Sequence, residues 1–173
     1  MIQPSRRKLD LNIVNYFKFA HGFRWGAGGV LESAGNVTTL PPRELFMTKR
    51  EKDLPMVATY RAKWDESYRE KWGISTGKAA KVSRESLELL SNQSIKMFRA
   101  LGLKGYARID WRLTDAGEPV FLEANPNPAL SQDDDFAMAA KTAEYSYGEL
   151  IAEIIGSALV SKAKDTKVAQ RSS

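Results

Sequence analysis

The sequence has no cysteine, and its 173 residues include a single histidine, His21, and only seven prolines. Without cysteine there are no disulfides, no thiolate nucleophile and no cysteine-ligated zinc. One histidine leaves too little for a histidine-based metal site or a serine–histidine triad. No run approaches the roughly eighteen apolar residues of a membrane span. Arg6, Arg7 and Lys8 are not followed by a clean apolar run and a small-residue cleavage site, so no secretory signal is expected and the cytoplasm is the expected location. What remains is an ordinary globular composition, 43% apolar, suited to one domain with a sizeable core.

The net charge of +5 is dispersed, and part of it lies in a polar tail where Lys162, Lys164, Lys167 and Arg171 accompany only Asp165. Basic and aromatic residues do not cluster as a nucleic-acid surface requires, so neither nucleic acid nor membrane is an expected partner. An anionic small molecule in a basic cleft accounts for the charge equally well.

The most informative stretch is 105–128, GYARIDWRLTDAGEPVFLEANPNP. Tyr106 to Leu113 alternates, with Tyr106, Arg108, Asp110 and Arg112 on one face and Ala107, Ile109, Trp111 and Leu113 on the other. Asp, Gly and Pro between Thr114 and Pro119 mark a hairpin loop. Val120 to Asn125 alternates again, with Phe121, Glu123 and Asn125 sharing a face. Pairing Leu113 with Val120 sets Asp110 opposite Glu123 and Arg108 opposite Asn125. Two facing carboxylates weaken an ordinary hairpin, and a divalent cation between them removes that cost. Oxygen ligands from Asp, Glu and Asn suit Mg²⁺, or Mn²⁺ in its place. The plain alternative is a hairpin with a solvated polar face.

Arg-Ile-Asp, a hairpin, then Leu-Glu-Ala-Asn-Pro-Asn-Pro resembles the C-terminal nucleotide-and-metal segment of the ATP-grasp ligases, in particular the D-alanine–D-alanine ligase family. The resemblance implies an α/β (α+β) fold, the C-terminal half of an ATP-grasp domain, with an antiparallel sheet flanked by two main helices. It implies ATP and Mg²⁺ as cofactors and a small-molecule acid and amine as substrates, joined through an acyl-phosphate. Asp110, Glu123 and Asn125 would hold the metal, Arg108 would stabilise the transition state, and Leu122 and Glu123 would contact the nucleotide. Ala58-Thr-Tyr-Arg-Ala-Lys63-Trp64-Asp65 is similar to the family's mobile loop, so Lys63 would reach the terminal phosphate and Trp64 would help exclude water.

Elsewhere the chain reads more simply. Residues 1–29 fit neither helical nor strand period, and Gly26-Ala-Gly-Gly29, lacking a Gly-Lys-Ser/Thr ending, reads as a flexible connector. Thr76-Gly-Lys78 is equally weak as a phosphate motif. Val30 to Leu40 reads as a hairpin ended by Pro41-Pro42, with Glu44 to Met47 as a short edge strand. Tyr68 to Lys81 reads as a long polar connection. Ser83 caps a helix running to Leu101 and Gly102, with Leu87, Leu90, Met97, Phe98 and Leu101 as its core stripe. Asp133 to Asp135 stand at the start of a helix over Phe136–Ala143, with a bound cation or amine as the alternative role. Ser146-Tyr-Gly-Glu149 forms a capping box for a last helix that frays beyond Val160.

The expected organisation is thus 1–29 unassigned, 30–160 a partial ATP-grasp domain and 161–173 a polar tail. Two departures from the family stand out. Ala129 occupies the place of a glycine at the oxyanion site, and Asp134 falls near the serine that holds the acceptor's carboxylate, which puts D-alanine as acceptor in question. The family's N-terminal half is not found in residues 1–29, so a truncated or frame-shifted product, a missing N-terminal half as partner, or self-association is expected. A non-catalytic remnant or partner-binding fragment is the alternative to an active ligase.

Overall fold

The fold is seen in a computed structural model that describes residues 24–33, 35–49, 61–62 and 65–171, excluding the side chains of 24, 25 and 164–171. The expected lid residues Lys63 and Trp64 lie outside the described residues. The order is β1 (Arg24–Ser33), β2 (Asn36–Thr39), β3 (Arg43–Met47), α1 (Glu66–Trp72), β4 (Ile74–Lys78), α2 (Arg84–Ala100), β5 (Tyr106–Leu113), β6 (Pro119–Asn125), α3 (Asp135–Thr142) and α4 (Tyr147–Arg171). Among the described residues the strands form one antiparallel sheet in the order β4-β3-β1-β5-β6, with β2 also paired to β1. The two long helices, α2 and α4, are those the sequence suggests. The short α3 is the helix read over Phe136–Ala143, and only α1 is additional.

β1 is the centre of the sheet, and it begins well before Val30. Gly26 to Gly29, read from sequence as a connector, pair with Trp111 to Arg108 of β5. Glycine in a strand interior signals a neighbour pressed against the backbone. A Cβ on Gly28 would meet Leu90 and Ser94 of α2 at 3.5 Å, whereas one on Gly29 would meet Leu40 at 2.9 Å and Phe136 of α3 at 3.1 Å. Adjacent positions of one strand therefore face helices on opposite sides of the sheet. The missing side chains hide this strand from periodicity, and the one at Gly29 is what lets the α3 layer close.

Those two layers are the core. On one face Leu90 and Phe98 of α2 pack on Val30, Ala107, Ile109, Trp111 and Leu113. The Trp111 indole N–H, fully buried, donates to Ser94 Oγ at 2.9 Å, so the largest core side chain leaves no orphan donor. On the other face Leu31 and Leu40 pack with Phe136, Ala137, Ala139 and Ala140 of α3 and Leu150 of α4. Each large side chain so buried contributes about 1.5–3 kcal/mol.

Local signals set the helix ends. Ser83 Oγ accepts from Ser86 N–H at 3.1 Å, and Gly102 takes φ 65° after the C-cap Leu101. Leu101 itself is 51% exposed, outside the packed stripe. The Ser146–Glu149 capping box is present, with Ser146 N–H to Glu149 Oε2 at 2.7 Å and Glu149 N–H to Ser146 Oγ at 3.2 Å. The helix it starts runs on to Arg171, past the expected fraying point at Val160.

Two stretches depart from the sequence reading. The segment read as a polar connection forms α1 and β4. Asp65 caps the helix and Gly73, at φ 59°, stops it; seven residues are too few to show an apolar period. A Cβ on Gly73 would stand 2.2 Å from Thr48 Oγ1, so that stop requires glycine. β4, rather than β3, is the edge strand, since β3 lies between β1 and β4.

Candidate active site

The β5–β6 hairpin pairs Arg108 with Asn125, Ile109 with Ala124 and Asp110 with Glu123, as the alternation predicts. Beyond Asp110 the register shifts: Trp111 pairs with Phe121 and Leu113 with Pro119, not Val120. Leu122 is the extra residue of a β-bulge. The bulge carries Phe121 off the face of Glu123 and Asn125 and sets it edge-on to Trp111, ring centroids 5.5 Å apart. An even alternation cannot reveal this, because the slip occurs inside an unbroken apolar–polar pattern.

Pairing across neighbouring strands builds one row. Arg43 of β3 pairs with Ala27 of β1, Ala27 with Asp110 of β5, and Asp110 with Glu123 of β6. Cross-strand partners share a face. Ala27, the smallest member, lies at the middle of the row, beneath a cleft of ≈ 490 Å³. That volume suits a small-molecule site. Arg108, Asp110, Glu123 and Asn125 line it, as do Ala129, Asp134 and Asp135 from the segment leading into α3. Leu122 is not among its lining residues.

Acids outnumber cations in this cleft: Glu44, Asp110, Glu123 and Asp133 to Asp135 line it with Arg43, Arg69 and Arg108. Arg43 Nε donates to Asp135 Oδ1 at 2.8 Å. Arg108 donates through Nε and Nη2 to the two oxygens of Asp110 at 2.7 and 3.0 Å, and its Nη2 stands 3.9 Å from Glu123. The Asp110 side chain is 1% exposed and that of Glu123 60%. Burial works against the Arg108 charge, but the hydrogen bond and charge of Asp110, with Asp135 and Glu123 beyond it, hold its pKa above the ordinary value. Asn125 Oδ1 accepts from Asn127 N–H at 2.9 Å, which fixes the amide at the end of the hairpin.

The donor set fits Mg²⁺. Two facing carboxylates and a carboxamide suit an ion that binds through one or two carboxylates plus phosphate oxygens. Among the described residues no three acidic or imidazole groups gather into an all-protein cage. Arg108 already reaches both carboxylates, as a positive charge drawn to them must.

Sequence reasoning missed Arg43 and its bond to Asp135. Their contact spans 92 positions, and an arginine after two prolines carries no local mark of a site. Asp135, read from sequence with Asp133 and Asp134 as a helix start, stands there, and its partner is the chain's own Arg43 guanidinium. Asp134 Oδ2 accepts from Ser131 N–H at 3.0 Å.

An antiparallel sheet with α2 on one face, and α3, α4 and a cleft beside an acidic hairpin on the other, is the C-terminal half of an ATP-grasp fold. The sequence profile described as "D-ala D-ala ligase C-terminus" matches residues 29–156, and the chain belongs to that family. A D-alanine–D-alanine ligase of Nitrosospira multiformis is 40% identical over 79 residues, covering 46% of this chain and 26% of that protein. The D-alanine–D-alanine ligase of Coxiella burnetii superposes with a TM-score of 0.66 at 15% identity, over 85% of this chain and 35% of its own. That of Bacillus anthracis, solved in complex with ATP, gives 0.61 at 18% identity, over 82% and 40%. The chain thus spans less than half the length of these relatives. Among the described residues no helix is long and apolar enough to cross a membrane.

Proposed function

We propose that this chain is the Mg²⁺–nucleotide half of an ATP-dependent ligase that joins a carboxylate to an amine through an acyl-phosphate. The observation that carries the reading is the facing pair Asp110–Glu123, both lining one cleft with Arg108 and Asn125. Family membership supports the same reaction class.

In that reaction phosphates, a carboxylate and a developing oxyanion crowd into one place. Bound Mg²⁺ would neutralise phosphate charge there, held by Asp110, Glu123 and the Asn125 amide oxygen. Arg108 offers a planar guanidinium that Asp110 fixes in place and keeps protonated, so its donors meet the oxyanion without reorganising. Ala27 keeps the floor of the row low enough for the reacting groups. In this reading Lys63 reaches the terminal phosphate, Trp64 shields the acyl-phosphate from water, and Leu122 and Glu123 contact the nucleotide. ATP, a small acid and an amine are the ligands, in the cytoplasm.

The test is a calorimetric titration of the chain with ATP, with and without Mg²⁺. Magnesium-dependent binding is expected. A folded chain that takes up no nucleotide in the presence of Mg²⁺ would end this reading.

A further inference from the structure

Three arginines line the cleft: Arg108, Arg69, whose Nη1 donates to the Ala62 carbonyl at 2.8 Å, and Arg43. The Arg43 side chain is 10% exposed. Among the described residues its hydrogen bonding is confined to Nε, which Asp135 occupies at 2.8 Å. Toward the described residues the Nη groups thus make no hydrogen bond, and Arg43 lines the cleft where a ligand can meet them. A guanidinium anchored through Nε and open at Nη is preorganised for an oxyanion, because its fork is already oriented. Asp135 orients Arg43, and its charge also favours that of Arg108.

The position of Arg43 decides which oxyanion. Ala27 separates it from Asp110 in the row, so the two backbones are about two strand spacings, roughly 10 Å, apart. Phosphate oxygens held at Asp110 and Glu123, and the carboxylate that reacts beside them, belong at the Arg108 end. A group at Arg43 is one that takes no part in the chemistry.

We infer that Arg43 forms a specificity subsite for the unreactive carboxylate of an amino-acid substrate, oriented by Asp135. This rests on the ligase reading. It also alters the meaning of the acidic stretch before α3. Asp135 is offset by the Arg43 charge, whereas Asp134 accepts only a neutral N–H, from Ser131.

The experiment is an NMR titration of the full chain, following arginine Nε–H signals, with two arms. One arm uses Mg²⁺·ATP. The other uses a panel of D- and L-amino acids, each beside its carboxamide. At least one amino acid is expected to shift the Arg43 signal while its carboxamide does not. Arg43→Gln should weaken that amino acid about tenfold or more, since hydrogen bonds to charged groups carry this much. Arg43→Lys should recover part of the loss, and Mg²⁺·ATP affinity should stay within about twofold in both variants. Amino-acid carboxylates that leave Arg43 unmoved would overturn the subsite. So would a Gln variant in which Mg²⁺·ATP weakens as much, which would make Arg43 a phosphate ligand. Failure of wild-type chain to bind Mg²⁺·ATP would overturn the ligase reading, while the amino-acid arm still judges Arg43 by itself.

Discussion

Arg108 holds Asp110 by both carboxylate oxygens, at 2.7 and 3.0 Å, and Asp110 is buried beneath it. Removing Asp110 would therefore do two things at once: take a metal ligand away and leave a half-buried guanidinium without its partner. Asp110→Ala is expected to cost about 3 kcal/mol of stability by denaturant unfolding, as breaking a buried pair from one side does. Loss of nucleotide binding in that variant would be ambiguous by itself.

Glu123 separates the effects. Its side chain is mostly solvent-exposed and stands 3.9 Å from Arg108. Glu123→Gln should leave stability within about 0.5 kcal/mol, as surface changes do. Mg²⁺-dependent ATP affinity should fall tenfold or more by calorimetry, about 1.4 kcal/mol. Unchanged affinity would remove Glu123 from the metal site.

Gly28 and Gly29 are neighbours with opposite tolerance. An alanine Cβ at Gly28 makes ordinary contact at 3.5 Å, so Gly28→Ala should be neutral or stabilise by a few tenths of a kcal/mol. Gly29→Ala drives its Cβ to 2.9 Å from Leu40 and 3.1 Å from Phe136, both buried, and should destabilise by about 1–3 kcal/mol. Thermal melts of the two variants check this. Equal stability would mean α3 does not press on β1 as described.

Asp65 gives a pH dependence with a definite sign. Its hydrogen bond from Ser67, the Tyr68 N–H and Arg61 lower its pKa from 3.8 to about 2. A carboxylate depressed by folding stabilises above its unfolded pKa and loses that contribution as pH falls through the folded one. The order of α1 should thus weaken between about pH 4 and pH 2, read from Trp72 fluorescence. Asp65→Asn keeps a capping oxygen without the titration and should flatten that change. A curve identical to wild type would assign the transition to other groups.

Much of the site is legible in sequence because it is local. Asp110 and Glu123 are marked by the alternation of their own strands, but the turn sets Leu113 against Pro119, and it is the bulge at Leu122 that brings the two acids opposite each other. The caps at Ser83 and Ser146 are equally local, each reaching three residues along the chain. The bulge at Leu122 was not legible. It moves Phe121 onto Trp111, a cross-strand contact that the alternation within either strand does not signal.

The sequence by itself determined the hairpin, its alternating faces, the long helices and the family, since each depends on spacing within a few residues. Tertiary structure alone decided that a glycine run is the central strand, because its signature is the approach of Leu90 from one side and Phe136 from the other. It alone brought Arg43 to Asp135, 92 positions away, and so set that guanidinium in the cleft. Chain-distant pairs leave no periodic trace; they exist only once the sheet has set which strands are neighbours.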